Sequence, residues 1–288
     1  MTVSVRILAA GPLCTVQDLG RPGLAGIGVG ASGAADRGSF RLANRLVGND
    51  EGAAALEVTL GGLAVRAGRD LTVAVTGAPC PMRVAGRAAA SNSVLRLPSG
   101  STLEMGAPDR GLRSYLAVRG GIDVAPVLGS RATDLLAGLG PPVLAPGVVL
   151  PVGPPPATFP TVDAAPVPEL ADGELTLGVM LGPRDDWFAE RALASLLTEP
   201  FVVTSDSNRV GMRLDGPELT RAQSGELLSE GTVAGAVQVP PAGRPTLFLA
   251  DHPVTGGYPV IAVVVSADLD LAAQARPGQR LRFRQARC

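Results

Sequence analysis

Short apolar segments separated by tight-turn signals limit most strongly what this chain can fold into. Between Leu56 and Val118 the pairs Gly61-Gly62, Ala67-Gly68, Ala85-Gly86, Ser99-Gly100 and Gly120-Gly121 recur at short intervals. The intervening segments 56–60, 63–66, 71–76, 82–84, 94–97, 102–105 and 115–118 are strand-length and largely alternate between apolar and other residues. A two-residue period places successive side chains on opposite faces of a strand. Many short strands joined by tight turns predict a barrel or sandwich, not a parallel α/β sheet. The expected fold class is therefore mainly β, with a few short helices.

One helix is expected at residues 37–47, with Asp36 as its N-cap and Gly48-Asn49 as its stop. Phe40, Ala43 and Val47 share its inner face, and Arg37, Arg41, Asn44 and Arg45 point outward. Residues 141–168 are proline-rich, centred on Pro154-Pro155-Pro156, and read as an extended, semi-rigid connector. A boundary near residue 165 predicts domains at 1–165 and 166–288. In the second domain, residues 175–181 read as a strand. The sequence Gly182-Pro183-Arg184-Asp185-Asp186 then opens a helix bearing Phe188, Ala192 and Leu196. Asp185 and Asp186 suit the first turn of such a helix, which accounts for them without catalysis. Further strands are expected at 201–204, 260–265 and 280–283, with a polar loop at 205–214 and a small helix near Gln274. Both halves combine a glycine-rich polar segment, one short helix and several hairpins, the plan of a duplicated small barrel.

Composition excludes several chemistries. All 25 basic residues are arginine, so this chain cannot form a lysine Schiff base, complete a P-loop or carry biotin on lysine. His252 is the single histidine, which removes two-histidine metal motifs and acid/base pairs. A net charge of −1 gives no electrostatic footprint for nucleic acid or anionic membrane. Cys14, Cys80 and Cys288 are odd in number, lack Cys-x-x-Cys spacing and follow no secretory signal pattern, so a reduced, cytoplasmic protein is expected. Cys288 is expected to be exposed. The longest apolar runs, such as residues 260–265, are too short to span a bilayer.

Two clusters gather the chemistry. Residues 16–36 set Gln17, Asp18, Arg21, Ser32 and Asp36 among glycines and one proline, the composition of a segment that meets a ligand or partner. Gly26-x-Gly28-x-Gly30 lacks the preceding strand, long following helix and glycine offset of a dinucleotide fingerprint, so tight turns account better for it. Ser32 lies outside any Gly-x-Ser-x-Gly motif, and a turn serine is a commoner reading than a triad with His252 and Asp251. The second cluster, Asp251, His252, Thr255 and Tyr258, lies between an apolar strand and a double glycine, where barrel rims form pockets. Glu57 and Glu230 are candidate buried carboxylates.

Taken in order, Gln17-Asp-Leu-Gly-Arg21, Ser32-Gly-Ala-x-Asp36, Ala43-Asn44-x-Leu-Val-Gly-Asn49, Ala55-Leu-Glu57, Thr59-x-Gly-Gly62 and Val75-Thr-Gly77 form a recognisable series. Ser229-Glu-Gly231, Gly235-x-x-Gln238-Val-Pro240 and Thr255-Gly-Gly-Tyr258 complete it. Together they resemble the biotin-dependent carboxyltransferase family, also called allophanate hydrolase subunit 2, which includes KipA proteins and the C-type subunit of 5-oxoprolinase. The resemblance runs from about residue 2 to residue 283. It implies two cyclophilin-like β-barrel domains with short capping helices. It also implies a partner similar to KipI or to the B-type subunit of 5-oxoprolinase, with a large LamB/YcsF-type subunit as a further one. One departure is Asp251-His252-Pro253, where the family pattern leads one to expect a glutamine before Thr-Gly-Gly-Tyr.

The leading expectation from this resemblance is one subunit of a heteromeric, ATP-dependent 5-oxoprolinase that opens a cyclic amide and is inactive alone. One alternative is a urea carboxylase-like carboxyltransferase with biotin carried by another protein. Another is a non-enzymatic KipA-like antagonist of a kinase inhibitor. ATP would be used by the complex, no cofactor would be held covalently, and no metal is expected. The expected site residues are Gln17, Asp18, Arg21, Ser32, Asp36, Asn44 and Glu57 at one rim. Glu230, Gln238, Asp251, Thr255, Gly256, Gly257 and Tyr258 form the other, and the two together are expected to wall one site. Arg21 is the expected anion clamp, because a guanidinium holds a carboxylate or phosphate bidentately. The N–H groups of Gly256 and Gly257 are the expected oxyanion donors.

Overall fold

A computed structural model describes residues 3–223 and 225–286, so the exposure expected of Cys288 lies outside the described residues. The chain divides into two compact units. The first comprises Met1–Arg21, Asp36–Asp134 and Gly138–Leu170; the second comprises Pro22–Ala35, Leu135–Ala137 and Ala171–Cys288. The glycine-rich stretch is thus divided: Gln17, Asp18, Arg21 and Asp36 belong to the first unit, and Ser32 belongs to the second.

The first unit runs β1 (Ser4–Ala10), β2 (Leu13–Gln17), α1 (Arg37–Leu46), β3 (Ala55–Thr59), β4 (Leu63–Ala67), β5 (Leu71–Gly77) and β6 (Met82–Val84). It continues with β7 (Arg87–Ala89), β8 (Val94–Leu97), β9 (Thr102–Met105), β10 (Arg113–Val118) and β11 (Val149–Pro151). These strands make a six-stranded sheet, β11-β1-β4-β9-β6-β7, and a five-stranded sheet, β2-β3-β10-β5-β8. Val5, Ile7, Val65 and Leu103 from the first pack with Val16, Leu56, Val73 and Leu116 from the second in one buried core. Gly61-Gly62 turns β3 into β4 with φ of +70° and +77°. A Cβ on Gly61 would lie 2.0 Å from the Gly106 carbonyl oxygen, so both conformation and close approach require glycine there.

Helix α1 starts where Asp36 accepts a hydrogen bond from the Ser39 N–H, an N-cap worth about 1 kcal/mol. Phe40, Ala43 and Val47 are buried as the apolar spacing predicts. Asn44, expected to face outward, is also fully buried, which its hydrogen bonds described below explain. Val16, the first residue of the glycine-rich stretch, is a buried residue of β2 and joins the core. The proline-rich segment is more than a connector. Its β11 pairs with β1, and Phe159 lies against the guanidinium groups of Arg96 and Arg119 at 5.1 and 4.2 Å.

The second unit contains β12 (Leu175–Leu181), α2 (Glu190–Thr198), β13 (Phe201–Val203), β14 (Gly211–Asp215), β15 (Glu230–Gly231) and β16 (Ala236–Gln238). It ends with β17 (Thr246–Phe248), β18 (Thr255–Gly256), β19 (Val260–Val264), α3 (Leu269–Ala273) and β20 (Arg280–Gln285). Seven strands close a barrel in the order β12-β19-β16-β17-β14-β13-β20, sealed by parallel pairing of β12 with β20. Closure removes exposed strand edges from this ring. Leu177, Phe201, Leu214, Val237, Ile261 and Phe283 fill its core beneath Ala192 and Leu196 of α2. The helix expected to open at Gly182 begins at Glu190 instead. Asp185 and Asp186 occupy a separate 3-10 turn, and Phe188 is extended and bridged to Arg221, which prevents one continuous helix.

Candidate functional site

In the first unit, β2 carries Gln17 inward, where it is fully buried. Its Nε2 donates to Thr15 Oγ1 at 3.0 Å and to the Thr133 carbonyl at 2.9 Å, while Oε1 has no hydrogen-bond partner. Asp18 accepts from the Gly20 N–H at 2.8 Å, the Ser130 hydroxyl at 2.6 Å and the Arg131 N–H at 2.6 Å. Arg21 donates to the carbonyls of Ala132 and Val127, with Nη1 at 3.8 Å from Asp134. The structure therefore brings these three expected residues together on residues 127–134. It also corrects the anion-clamp assignment: Arg21 is buried, and Nε and Nη2 are both engaged by backbone carbonyls instead of being open to a ligand.

A second polar chain lies beside α1. The Asp36 N–H donates to Tyr115 Oη at 2.8 Å, and Tyr115 donates onward to Glu57 at 2.8 Å. Arg113 Nε lies 3.6 Å from the same carboxylate. Burial first, then the charges of Glu57 and Asp36, raise the Tyr115 pKa well above the usual phenol range, so the phenol remains a donor. Cys14 is pushed to about 12 by burial and then by Glu57, which leaves no nucleophilic thiolate near neutral pH. Asn44 is held separately: it donates to the Ala53 carbonyl at 2.8 Å and accepts from Asn49 Nδ2 at 3.0 Å. Asn49 in turn accepts from the Gly120 N–H, so this pair ties α1 to a turn.

Asp251 is the polar hub of the second unit. It accepts from Arg209 at 2.8 and 2.9 Å, from the Ser32 hydroxyl at 2.6 Å and from the Leu135 N–H at 3.1 Å. Both side chains of the Arg209–Asp251 pair are fully buried. Arg209 also donates to the Gly33 carbonyl at 2.6 Å. These bonds explain why Pro22–Ala35 and Leu135–Ala137 belong to this unit. The Ser32 hydroxyl donates to a carboxylate and not to an imidazole, while His252 Nδ1 lies 3.3 Å from Thr232 Oγ1 and 2.8 Å from the Pro253 carbonyl. That geometry is not a Ser-His-Asp triad, which needs the hydroxyl on the imidazole and the imidazole on the carboxylate.

The remaining expected residues gather near β15 and β18. Glu230 pairs in register with Gly256 and is gripped by Arg184 through both Nε and Nη2. Gln238 donates to the Tyr258 carbonyl at 3.0 Å, and a Cβ on Gly256 would lie 2.5 Å from its amide nitrogen. Gly256 thus permits Gln238 to approach, and Thr255 is exposed beside it. Gly257 and Tyr258 line an open cleft of about 750 Å³ together with Thr220, Arg221 and Gln223. Among the described residues no cluster of three or more His, Cys, Asp or Glu is placed to hold a metal ion.

Sequence reasoning missed Tyr115, Arg113, Arg209, Arg184 and Arg221. Arg113 and Tyr115 lie on a strand of otherwise small and apolar residues, a legible sign of inward polar groups. Arg209 carries no signal beyond its place in a polar loop, and Arg221 stands in irregular chain between Thr220 and Ala222.

Comparison with known proteins places this geometry. Residues 27–285 match the family model described as carboxyltransferase domain, subdomain A and B. The C-type subunit of 5-oxoprolinase from Escherichia coli (strain K12) is 40% identical over 284 residues, covering 98% of this chain and 91% of that protein. The C-type subunit of 5-oxoprolinase from Haemophilus influenzae is 33% identical, covering 97% of this chain and 90% of that protein. Among solved structures, the Kluyveromyces lactis urea amidolyase superimposes with a TM-score of 0.94 at 32% identity, covering 99% of this chain but 19% of that one. A family match over most of the length and relatives at this identity establish that the chain belongs to the carboxyltransferase family with subdomains A and B.

Proposed function

We propose that this chain is the C-type member of a heteromeric ATP-dependent 5-oxoprolinase, which opens 5-oxoproline to glutamate. In this reading it works with a KipI-like partner of the 5-oxoprolinase B type and a large LamB/YcsF-type subunit in the cytoplasm. The observation that carries the reading is the 40% identity to the Escherichia coli C-type protein over nearly the whole of both chains. ATP supplies the driving force for ring opening and belongs to the assembled complex. This chain contributes binding and positioning groups. Two features support that division of labour: its site residues are largely committed to one another, and it has no lysine for a P-loop.

The superposition on urea amidolyase favours a second reading, transfer of a carboxyl group from carboxybiotin to a small amide. Biotin would then arrive on a lysine of another protein, since this chain has none.

Purification with the partner subunits and assay of 5-oxoproline-dependent ATP hydrolysis tests the first reading. Turnover by the full assembly and none by the chain alone is expected. An assembly that hydrolyses no ATP with 5-oxoproline overturns the assignment, and vigorous turnover by this chain alone overturns the dependence on partners.

A further inference from the structure

The cleft of the second unit holds a cation that the fold leaves without a counter-charge. Arg221 is fixed at both ends: its backbone bridges Phe188, and its Nη2 donates to the Val239 carbonyl. Its Nε is buried with no hydrogen-bond partner. Among the described residues, no carboxylate comes within ion-pair distance of it, in contrast to the buried Arg209 of the same unit, which Asp251 neutralises. Burial also lowers its hold on its proton, as expected of a desolvated cation lacking an anion. The residue as a whole is only partly buried and borders the cleft, so an incoming carboxylate would meet the open side of the guanidinium and supply the missing charge, and charge-assisted bonds of this kind are the strong ones.

The rest of the lining narrows the ligand. Glu218 and Glu226 also border the cleft, so with Arg221 the local formal charge is negative. That balance disfavours a polyphosphate and suits a ligand with one carboxylate and an N–H donor. Tyr258 is 46% exposed, and its ring centroid lies 5.7 Å from the Arg221 guanidinium carbon, giving a flat wall for a small ring. A Cβ on Gly257 would meet only the Leu227 carbonyl, at 3.7 Å, and its backbone lies outside the left-handed region. The fold therefore does not require glycine there, and the missing side chain leaves space in the cleft.

We propose that this cleft binds a small cyclic monocarboxylate bearing an amide N–H, of the 5-oxoproline class, with its carboxylate on Arg221 and its ring against Tyr258. The choice of 5-oxoproline rests on the function proposed above; the need for a carboxylate rests on Arg221 alone. The test is isothermal titration of the assembled complex with 5-oxoproline and with 2-pyrrolidinone, the same ring without its carboxylate. It is run on the unaltered protein and on the Arg221→Gln and Gly257→Val variants, each first checked for an unchanged melting temperature. At least tenfold weaker binding is expected for 2-pyrrolidinone, for Arg221→Gln and for Gly257→Val. Unchanged 5-oxoproline affinity in both variants, equal affinity for the two rings, or no binding to the unaltered complex would overturn the cleft assignment. Loss of the enzymatic reading is distinguished by the unaltered complex failing to hydrolyse ATP with 5-oxoproline. If it does hydrolyse ATP and both variants match it in KM, the cleft proposal alone fails.

Discussion

Replacing Asp251 by alanine should destabilise the second unit by about 4 kcal/mol. Asp251 neutralises Arg209 inside a fully buried pair and accepts four hydrogen bonds, two of them from that guanidinium. Removing one member of a buried ion pair typically costs about 3–5 kcal/mol, because the survivor is left charged and desolvated. Arg209 would retain the Gly33 carbonyl, which offsets little of that cost. Trp187 is the one tryptophan in the chain and lies in the second unit, so urea unfolding followed by its fluorescence reports on the relevant transition. Hydrogen exchange should show Pro22–Ala35 and the Leu135 amide losing protection first, since Ser32 and Leu135 are both fastened to this carboxylate. The double variant Asp251→Leu with Arg209→Met should recover much of the loss, because replacing both charges by apolar groups removes the unpaired ion. A single-variant loss below about 1 kcal/mol, or a double variant no more stable than the single, would refute the argument from a buried, mutually dependent pair.

Three other outcomes follow from the first unit. Tyr115→Phe should cost about 2–3 kcal/mol in chemical denaturation, because Glu57 loses a buried donor and the Asp36 N–H loses its acceptor. Cys14 has a folded pKa of about 12, above its unfolded value, so the folded state holds the proton more tightly. Its contribution is complete below pH 9 and falls by up to about 1.4 kcal/mol per pH unit between 9 and 12. Melting temperature should therefore drop more steeply from pH 8.5 to 10.5, about two units, in the unaltered protein than in Cys14→Ala. Arg21→Ala should lower the melting temperature and expose residues 127–134 to proteolysis, because Arg21 holds two of their carbonyls; loss of activity at unchanged stability would restore its assignment as an anion clamp.

Local structure was legible because its causes are local. The segments at 82–84, 94–97, 102–105 and 175–181 form strands at the expected bounds, since side-chain alternation and adjacent turn residues specify them. Asp36 caps α1 as its position ahead of an apolar repeat implies. The start of α2 was not legible, because the bridge between Phe188 and Arg221 that displaces it joins residues far apart in the chain.

The same division separates the family from the site. The ordered glycine and polar motifs, read along the chain, were enough to indicate the family and a mainly β fold, and the absence of lysine excluded whole classes of chemistry. Only the tertiary structure decided which polar residues serve the fold. Gln17 meets Thr133, Arg209 meets Gly33 and Ser32 meets Asp251, each across more than a hundred residues. A polar side chain has the same letter whether its partner is a distant carbonyl or a ligand. Burial and pairing alone distinguish Arg21, enclosed with carbonyls on Nε and Nη2 and the Asp134 carboxylate 3.8 Å from Nη1, from Arg221, which borders an open cleft with no carboxylate within ion-pair distance among the described residues.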